Sequence, residues 1–293
     1  MRVAIFGGSF DPPHLGHQKI IVSALDTLHI DKLFLVPTSL NPFKEKFFAT
    51  GEQRIAWLKK LFSHYKKIEI LDYEIKQERA VPSIETVRYL LNHYDIEKVY
   101  LIIGADNYGS LDQWNHYKEL SSLVEFVVAT RDEIALPKNL IKLSINAKMS
   151  SSKLRSNMNT SFIPKPIAFE INEYYTRNIM KKRIKHIVEI LDDKKAEDIQ
   201  VFDMHGKDYF VDTVIIATAM GARHSLSLLD DLKKGLKDPK ESFLHIDDEN
   251  EWVVIDLGDI LIHIMSAAYR SKYNLEEFLA EREREMQRIK TEM

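Results

Sequence analysis

Hydrophobic positions in the first half of the chain fall in short unbroken runs, separated by stretches with a helical period. Val3–Phe6, Lys32–Val36, Ile68–Leu71, Val99–Ile103, Val124–Ala129 and Ile141–Ile145 read as strands. His14–Leu28, Glu52–Phe62, Ile84–His93, Gln113–Leu120 and Ser151–Met158 read as helices. Strands that are apolar throughout and alternate with helices predict a parallel sheet covered on both faces, an α/β fold. The pattern changes after Asn159-Thr160-Ser161, where Pro164 and Pro166 punctuate the chain. A helix over Pro166–Tyr175 then precedes the basic run Lys181-Lys182-Arg183. The boundary is placed near Thr176–Lys181, which divides the chain into residues 1–176 and 177–293. The second part predicts helices at Ile184–Leu191, Ser225–Gly235 and Leu275–Thr291. Its strands are Ile199–Met204, Thr213–Thr218, Trp252–Leu257 and Ile260–Met265, the last two joined by a hairpin at Gly258-Asp259. This is a smaller α/β unit with a mixed sheet.

The chain has 293 residues, 45% hydrophobic and 29% charged, enough for two domains with real cores. It has no cysteine, which excludes disulfides, thiolate metal sites and a cysteine nucleophile. No run approaches the roughly 20 apolar residues of a membrane span, and the N-terminus lacks the layout of a signal peptide. A cytoplasmic setting is expected. Net charge is -3; the first 176 residues carry +2 and the rest -5, so neither part is a basic platform for nucleic acid.

The segment richest in chemistry is Gly7-Gly8-Ser9-Phe10-Asp11-Pro12-Pro13-His14-Leu15-Gly16-His17, between the first strand and the first helix. Gly7 and Gly8 allow positive φ and close approach of a ligand. A helix start offers N–H groups and a positive dipole end to an anion. His14 and His17 share a helix face and suit stabilisation of charge on a phosphoryl group. Such a pair can also be structural, or bind a metal. Ser150-Ser151-Ser152-Lys153-Leu154-Arg155 is a second candidate phosphate site at a helix start, or a plain N-cap with a solvated arginine.

The first segment resembles the signature of the nucleotidyltransferases with a His-x-Gly-His motif. Met149 to Arg155 is similar to their second signature, Ile-Ser-Ser-Thr-x-x-Arg. The length of the first part is similar to that of the nicotinate-nucleotide adenylyltransferases, with a Rossmann-like sheet. Asn41-Pro42-Phe43-Lys44 resembles their Pro-Pro-His-Lys loop, and Gly104-Ala105-Asp106-Asn107 with Trp114 their Gly-Ala-Asp…Trp stretch. Pro82-Ser83-Ile84-Glu85-Thr86 is a partial match to Ser-Tyr-Thr-x-Asp-Thr. The resemblance implies direct transfer of AMP from ATP to nicotinate mononucleotide. His14, His17, Lys44 and Arg155 would be catalytic. Gly7, Gly8, Ser9, Phe10, Gly104, Asp106, Ser151 and Ser152 would join in holding ATP. Ser83, as the cap of a helix, Thr86 and Trp114 would hold nicotinate. Mg²⁺ would ride on the ATP phosphates, with no metal site of the chain's own. A related transferase with another acceptor, such as phosphopantetheine, is the alternative, with the second part an accessory or dimerisation domain.

The second part shows few catalytic sets. His263 lies within an apolar strand and reads as packed. Asp256 and Asp259 read as hairpin chemistry before a metal pair. Gly221-Ala222-Arg223-His224 opens a helix, as a phosphate turn or a plain connection. Asp203 to Lys207, Asp212 to Thr218, Arg223-His224 and Trp252 to Met265 resemble the ribosomal silencing factors. That resemblance implies binding to a protein on the large ribosomal subunit and repression of translation, with Arg223, His224, Trp252, Asp256 and Asp259 as contact residues. It also allows a homodimer. No membrane partner and no sequence-specific nucleic acid are expected.

Overall fold

The structure, a computed structural model, describes residues 1–39, 47–130, 137, 140–145, 151, 154, 159–237, 241–249 and 251–292. The chain divides into two compact units, Met1–Asn178 and Ile179–Met293. In the first, β1 (Arg2–Gly8), β2 (Lys32–Pro37), β3 (Ile68–Ile70), β4 (Lys98–Gly104), β5 (Glu125–Thr130) and β6 (Ile141–Ser144) form one sheet. The order is β3-β2-β1-β4-β5-β6, and every neighbouring pair is parallel. The helices are α1 (Leu15–Thr27), α2 (Gly51–Phe62), α3 (Tyr73–Lys76), α4 (Ser83–His93), α5 (Ala105–Tyr108), α6 (Tyr117–Leu123) and the start of α7 (Lys165–Asp193).

Alternation along β1 explains the two layers. Ala4 and Phe6 join Ile21 of α1, Trp57 and Leu61 of α2, and Ile167 and Ile171 of α7. Val3 and Ile5 join Ile84, Val87 and Leu90 of α4 and Leu120 of α6. From β1 the chain builds outward to β3, then returns to β4 and builds outward to β6. The order therefore reverses between β1 and β4, whose C-terminal ends flank the crevice where open α/β sheets take ligands.

In the second unit β7 (Glu197–Asp203), β8 (Thr213–Ala219), β9 (His245–Glu249), β10 (Trp252–Asp256) and β11 (Ile260–Ser266) form a sheet in the order β7-β8-β11-β10-β9. Only β8 and β11 pair in parallel. One face packs on Ile187 and Leu191 of α7 and on Leu228, Leu229 and Leu232 of α8 (Ala222–Gly235). The other face packs Met204, Val214, Ile216 and Met265 against Leu279 of α10 (Leu275–Glu292), which follows α9 (Ala267–Tyr273). Among the described residues no helix is long and apolar enough to cross a membrane.

Two readings of the sequence need correction. The helices expected at Pro166–Tyr175 and Ile184–Leu191 are one helix, α7, which runs through the expected boundary. Residues 176–183 contain neither glycine nor proline, so nothing stops the hydrogen-bond ladder there. The strand β9 was not foreseen. Asp247, Asp248 and Glu249 give it no apolar face to announce it, and it is an exposed edge strand whose charges discourage further pairing. Most of the helix expected at Ser151–Met158 lies outside the described residues.

Candidate active site

The signature turn sits at the C-terminal end of β1, at the point where the strand order reverses. His14 is the N-cap of α1, with extended φ and ψ of -141° and 170°. Its Nδ1 accepts the N–H groups of Gly16 at 3.1 Å and His17 at 3.4 Å. His17 Nδ1 in turn accepts the N–H of His14 at 3.2 Å. The two imidazoles thus form a capping box, a part usually played by Ser or Thr with Glu. The rings stack with centroids 3.7 Å apart. Since Nδ1 is the acceptor in both, the neutral rings carry their proton on Nε2, which makes each Nε2–H a donor; His14 is itself buried.

Gly7 and Gly8 lie within β1, paired with Val36 and Pro37. Neither takes positive φ, contrary to the expectation; that conformation falls on Phe10 instead, at φ 46°. The glycines matter by lacking side chains. A Cβ on Gly7 would meet nothing closer than 3.9 Å, so there is space beside the C-terminal end of β1. Phe10 is fully buried, with its ring 4.8 Å from that of His17.

The turn is fixed from below. Arg54, on the apolar stripe of α2 and 1% exposed, donates from Nη1 to Ser9 O at 2.7 Å and Thr38 O at 2.9 Å. It therefore ties the turn after β1 to the end of β2. Burial lowers the pKa of its guanidinium, and the Asp11 carboxylate works against that. The second signature reaches the first directly: Ser151 Oγ donates to Pro12 O at 3.3 Å. Lys44, Ser152 and Arg155 lie outside the described residues.

Gly104 ends β4 across the crevice and caps α5; Asp106 lies exposed in the first turn of that helix. Trp114 is half-buried against the cluster that includes Leu111 and Leu120. Two further expectations change. Ser83 is the first residue of α4, whose N-cap is Pro82, and no side chain caps it. Thr86 is 2% exposed and gives its hydroxyl to Glu74 Oε1 at 2.7 Å, so it secures α3 to α4 rather than facing a ligand.

Burial pushes the Glu74 carboxyl up to about 7, against the Thr86 hydroxyl, with the charge of Glu85 adding to the rise. A carboxyl raised on folding stabilises the fold fully below its unfolded value of 4.5, and that stability is lost as pH climbs through 7. Glu74→Gln is expected to match wild type near pH 4.5 and to be more stable at pH 8, by at most about 3 kcal/mol. Urea denaturation across this range checks it; parallel pH profiles for the two proteins would refute it.

In the second unit, four of the expected contact residues have partners within their own fold. His224 Nδ1 accepts the N–H of Met220 at 3.1 Å, and Nε2 donates to Lys194 O at 2.9 Å. Asp256 Oδ1 accepts the N–H of Gly258 at 2.7 Å, closing the hairpin, where Gly258 has φ 94°. Asp259 pairs with Arg183. Trp252 donates from Nε1 to His263 Nδ1 at 3.1 Å. His263 is a packed sheet residue, its pKa pushed down to about 4 by burial. Arg223 is exposed in the first turn of α8.

Residues 5–157 match the Cytidylyltransferase-like family. Residues 178–293 match the family Ribosomal silencing factor during starvation. The probable nicotinate-nucleotide adenylyltransferase of Campylobacter jejuni (strain RM1221) is 49% identical over 177 residues, 60% of this chain and 98% of the relative. Its counterpart from Sulfurimonas denitrificans (strain ATCC 33889 / DSM 1251) is 50% identical over 173 residues, 59% of this chain and 94% of that one. Among solved structures, Plasmodium falciparum nicotinic acid mononucleotide adenylyltransferase complexed with NaAD aligns with a TM-score of 0.50 at 17% identity. It covers 60% of this chain and 97% of that one, a likeness of fold. The chain is a nucleotidyltransferase of the cytidylyltransferase-like family: its first part belongs with the nicotinate-nucleotide adenylyltransferases and is fused to a segment that matches the ribosomal silencing factors.

Proposed function

We propose that residues 1–176 transfer AMP from ATP to nicotinate mononucleotide, and that residues 177–293 bind the large ribosomal subunit and block subunit joining. The observation that carries the enzyme half is the paired imidazole cap at the switch point of the sheet. A 5'-phosphate oxygen of the mononucleotide attacks the α-phosphorus of ATP. The new O–P bond forms as the bond to the β-phosphate oxygen breaks, and pyrophosphate leaves with the electron pair. No side chain need become covalently attached.

Catalysis is then positioning and charge stabilisation. The Nε2–H donors of His14 and His17 face charge gathering on the transferring phosphoryl. Lys44, Arg155, Ser151 and Ser152 hold phosphate oxygens. Backbone at Gly7, Gly8, Ser9 and Phe10 lines the nucleotide, and Gly104 and Asp106 hold the adenosine. The N–H groups at the start of α4, with Ser83, take the nicotinate carboxylate, and Trp114 packs by the ring. Mg²⁺, carried on the triphosphate, would neutralise charge on the leaving group. The triphosphate is the holder of the ion in this reading.

The silencing half rests on the family match of residues 178–293 and on Arg223 and Met220 both being exposed at the start of α8, Met220 to 71%. Both halves suit a cytoplasmic setting. Pyrophosphate release is expected with nicotinate mononucleotide and to be much weaker with the amide mononucleotide or phosphopantetheine. A preference for phosphopantetheine would replace this acceptor by the other. The full chain is expected to co-sediment with isolated large subunits and to exclude small ones. Absence of co-sedimentation at moderate salt would make residues 177–293 an accessory to the enzyme.

A further inference from the structure

Asp11 lies three residues before His14 and is 1% exposed. Its Oδ2 accepts the N–H of Phe48 at 3.0 Å. Its Oδ1 accepts the N–H of Ala49 at 3.0 Å and the hydroxyl of Tyr175 at 2.5 Å. A carboxylate so held fixes the backbone that leads into His14, just as Ser151 fixes it at Pro12. Two of these donors are backbone amides. The third is a side chain, and it comes from α7, 164 residues away in sequence. The Tyr175 ring is 1% exposed and stacks on Trp57 at 6.1 Å and on Phe48 at 6.0 Å. Packing against Trp57 and Phe48 therefore holds the ring, and the hydroxyl donates to Asp11.

We propose that Tyr175 is a positioning residue for the transfer reaction: by holding Asp11 it sets where His14 and His17 sit, and it lodges this control on the helix that continues beyond Asn178 to Asp193. The proposal rests on the adenylyltransferase reading above. Tyr175 touches neither substrate nor reacting atoms in it. Its loss is felt in the rate of the chemical step, since a small misplacement of transition-state donors is costly while ground-state binding is spread over many contacts.

The test compares the full chain with Tyr175→Phe, Asp11→Asn and the double variant, with pyrophosphate release giving kcat and the KM for ATP and nicotinate mononucleotide. Melting temperature is recorded for each. Tyr175→Phe is expected to lower kcat about tenfold, with both KM values within about twofold of wild type. Asp11→Asn is expected to lower kcat at least as much. The double variant is expected to be no worse than Asp11→Asn alone, because the two act through one contact. A Tyr175→Phe protein that melts lower yet keeps wild-type kcat overturns the proposal, as that is what a purely structural tyrosine would do. So does a double variant whose loss is the product of the two single losses. Should Tyr175→Phe not fold, Asp11→Asn with unchanged kcat overturns it equally. Wild-type chain that releases no pyrophosphate with nicotinate mononucleotide removes the enzyme reading and this proposal with it; wild-type turnover with an indifferent Tyr175→Phe removes this proposal alone.

Discussion

His17→Ala is expected to lower kcat by about 10²–10³-fold, the loss typical of one preorganised donor to a developing oxyanion. His14→Ala is expected to lose at least as much, and also about 1 kcal/mol of stability as a lost N-cap. The structure allows these two effects to be separated. The cap is made by Nδ1 of His14, whereas the donor we propose is Nε2–H on the far side of the ring. His14→Asn keeps a short side chain whose oxygen can accept the same N–H groups, and it has no Nε2. Its melting temperature is therefore expected to return toward wild type, with turnover remaining at the level of His14→Ala. Turnover rescued by asparagine would mean that the imidazole serves only as a cap. Steady-state pyrophosphate release and thermal melting of the three variants decide the matter.

Arg183→Met is expected to cost the second unit about 2–4 kcal/mol. Arg183 forks twice: Nε and Nη2 bind Glu241 at 2.6 and 2.8 Å, and Nη1 and Nη2 bind Asp259 at 2.5 and 2.8 Å. Burial works against its charge, but the paired carboxylates raise the guanidinium's pKa above the usual value. Asp259 is 39% exposed and can be rehydrated, whereas Glu241 is 10% exposed and would be left with an uncompensated charge. The double variant Arg183→Met with Glu241→Gln should accordingly recover part of the loss. Arg183→Lys should recover less than its charge suggests, because an ammonium cannot fork to two carboxylates. Denaturant titration of the full chain reads all three; a loss below 1 kcal/mol for Arg183→Met would show the cluster to be solvated.

What could be read from residues alone was whatever depends on local pattern. The parallel sheet was legible because its faces are covered and the central strands β1, β2, β4 and β5 are mostly apolar. The turn after β1 was legible because glycine and histidine mark it at close spacing. The parts that hold the turn were not. Asp11, Arg54 and Tyr175 come from three separate elements and meet only in the fold. One signal was present for Arg54: a charged residue on the same helical face as Trp57, Leu58 and Leu61 must be buried with a partner. A serine at the start of an apolar-periodic run reads as a cap, but a residue's place at a helix start depends on one residue of offset, and Pro82 takes the cap position before Ser83. In the second unit His224 and Asp259 looked like surface chemistry because their partners, Lys194 and Arg183, are 30 and 76 residues away. Polar residues whose partners are remote in sequence read as available until the fold is seen.

The helix α7 gives Ile167, Ile171 and Tyr175 to one core and Ile187 and Leu191 to the other, with no loop in between. Severing the chain at this junction would therefore fray a structural member of each half, where a cut in an ordinary interdomain loop removes nothing that either half packs. A lineage that separated the two halves into independent genes would leave each product with a helix end where this chain has a continuous helix. Joined in this way, the two halves are made in equal number by every round of translation.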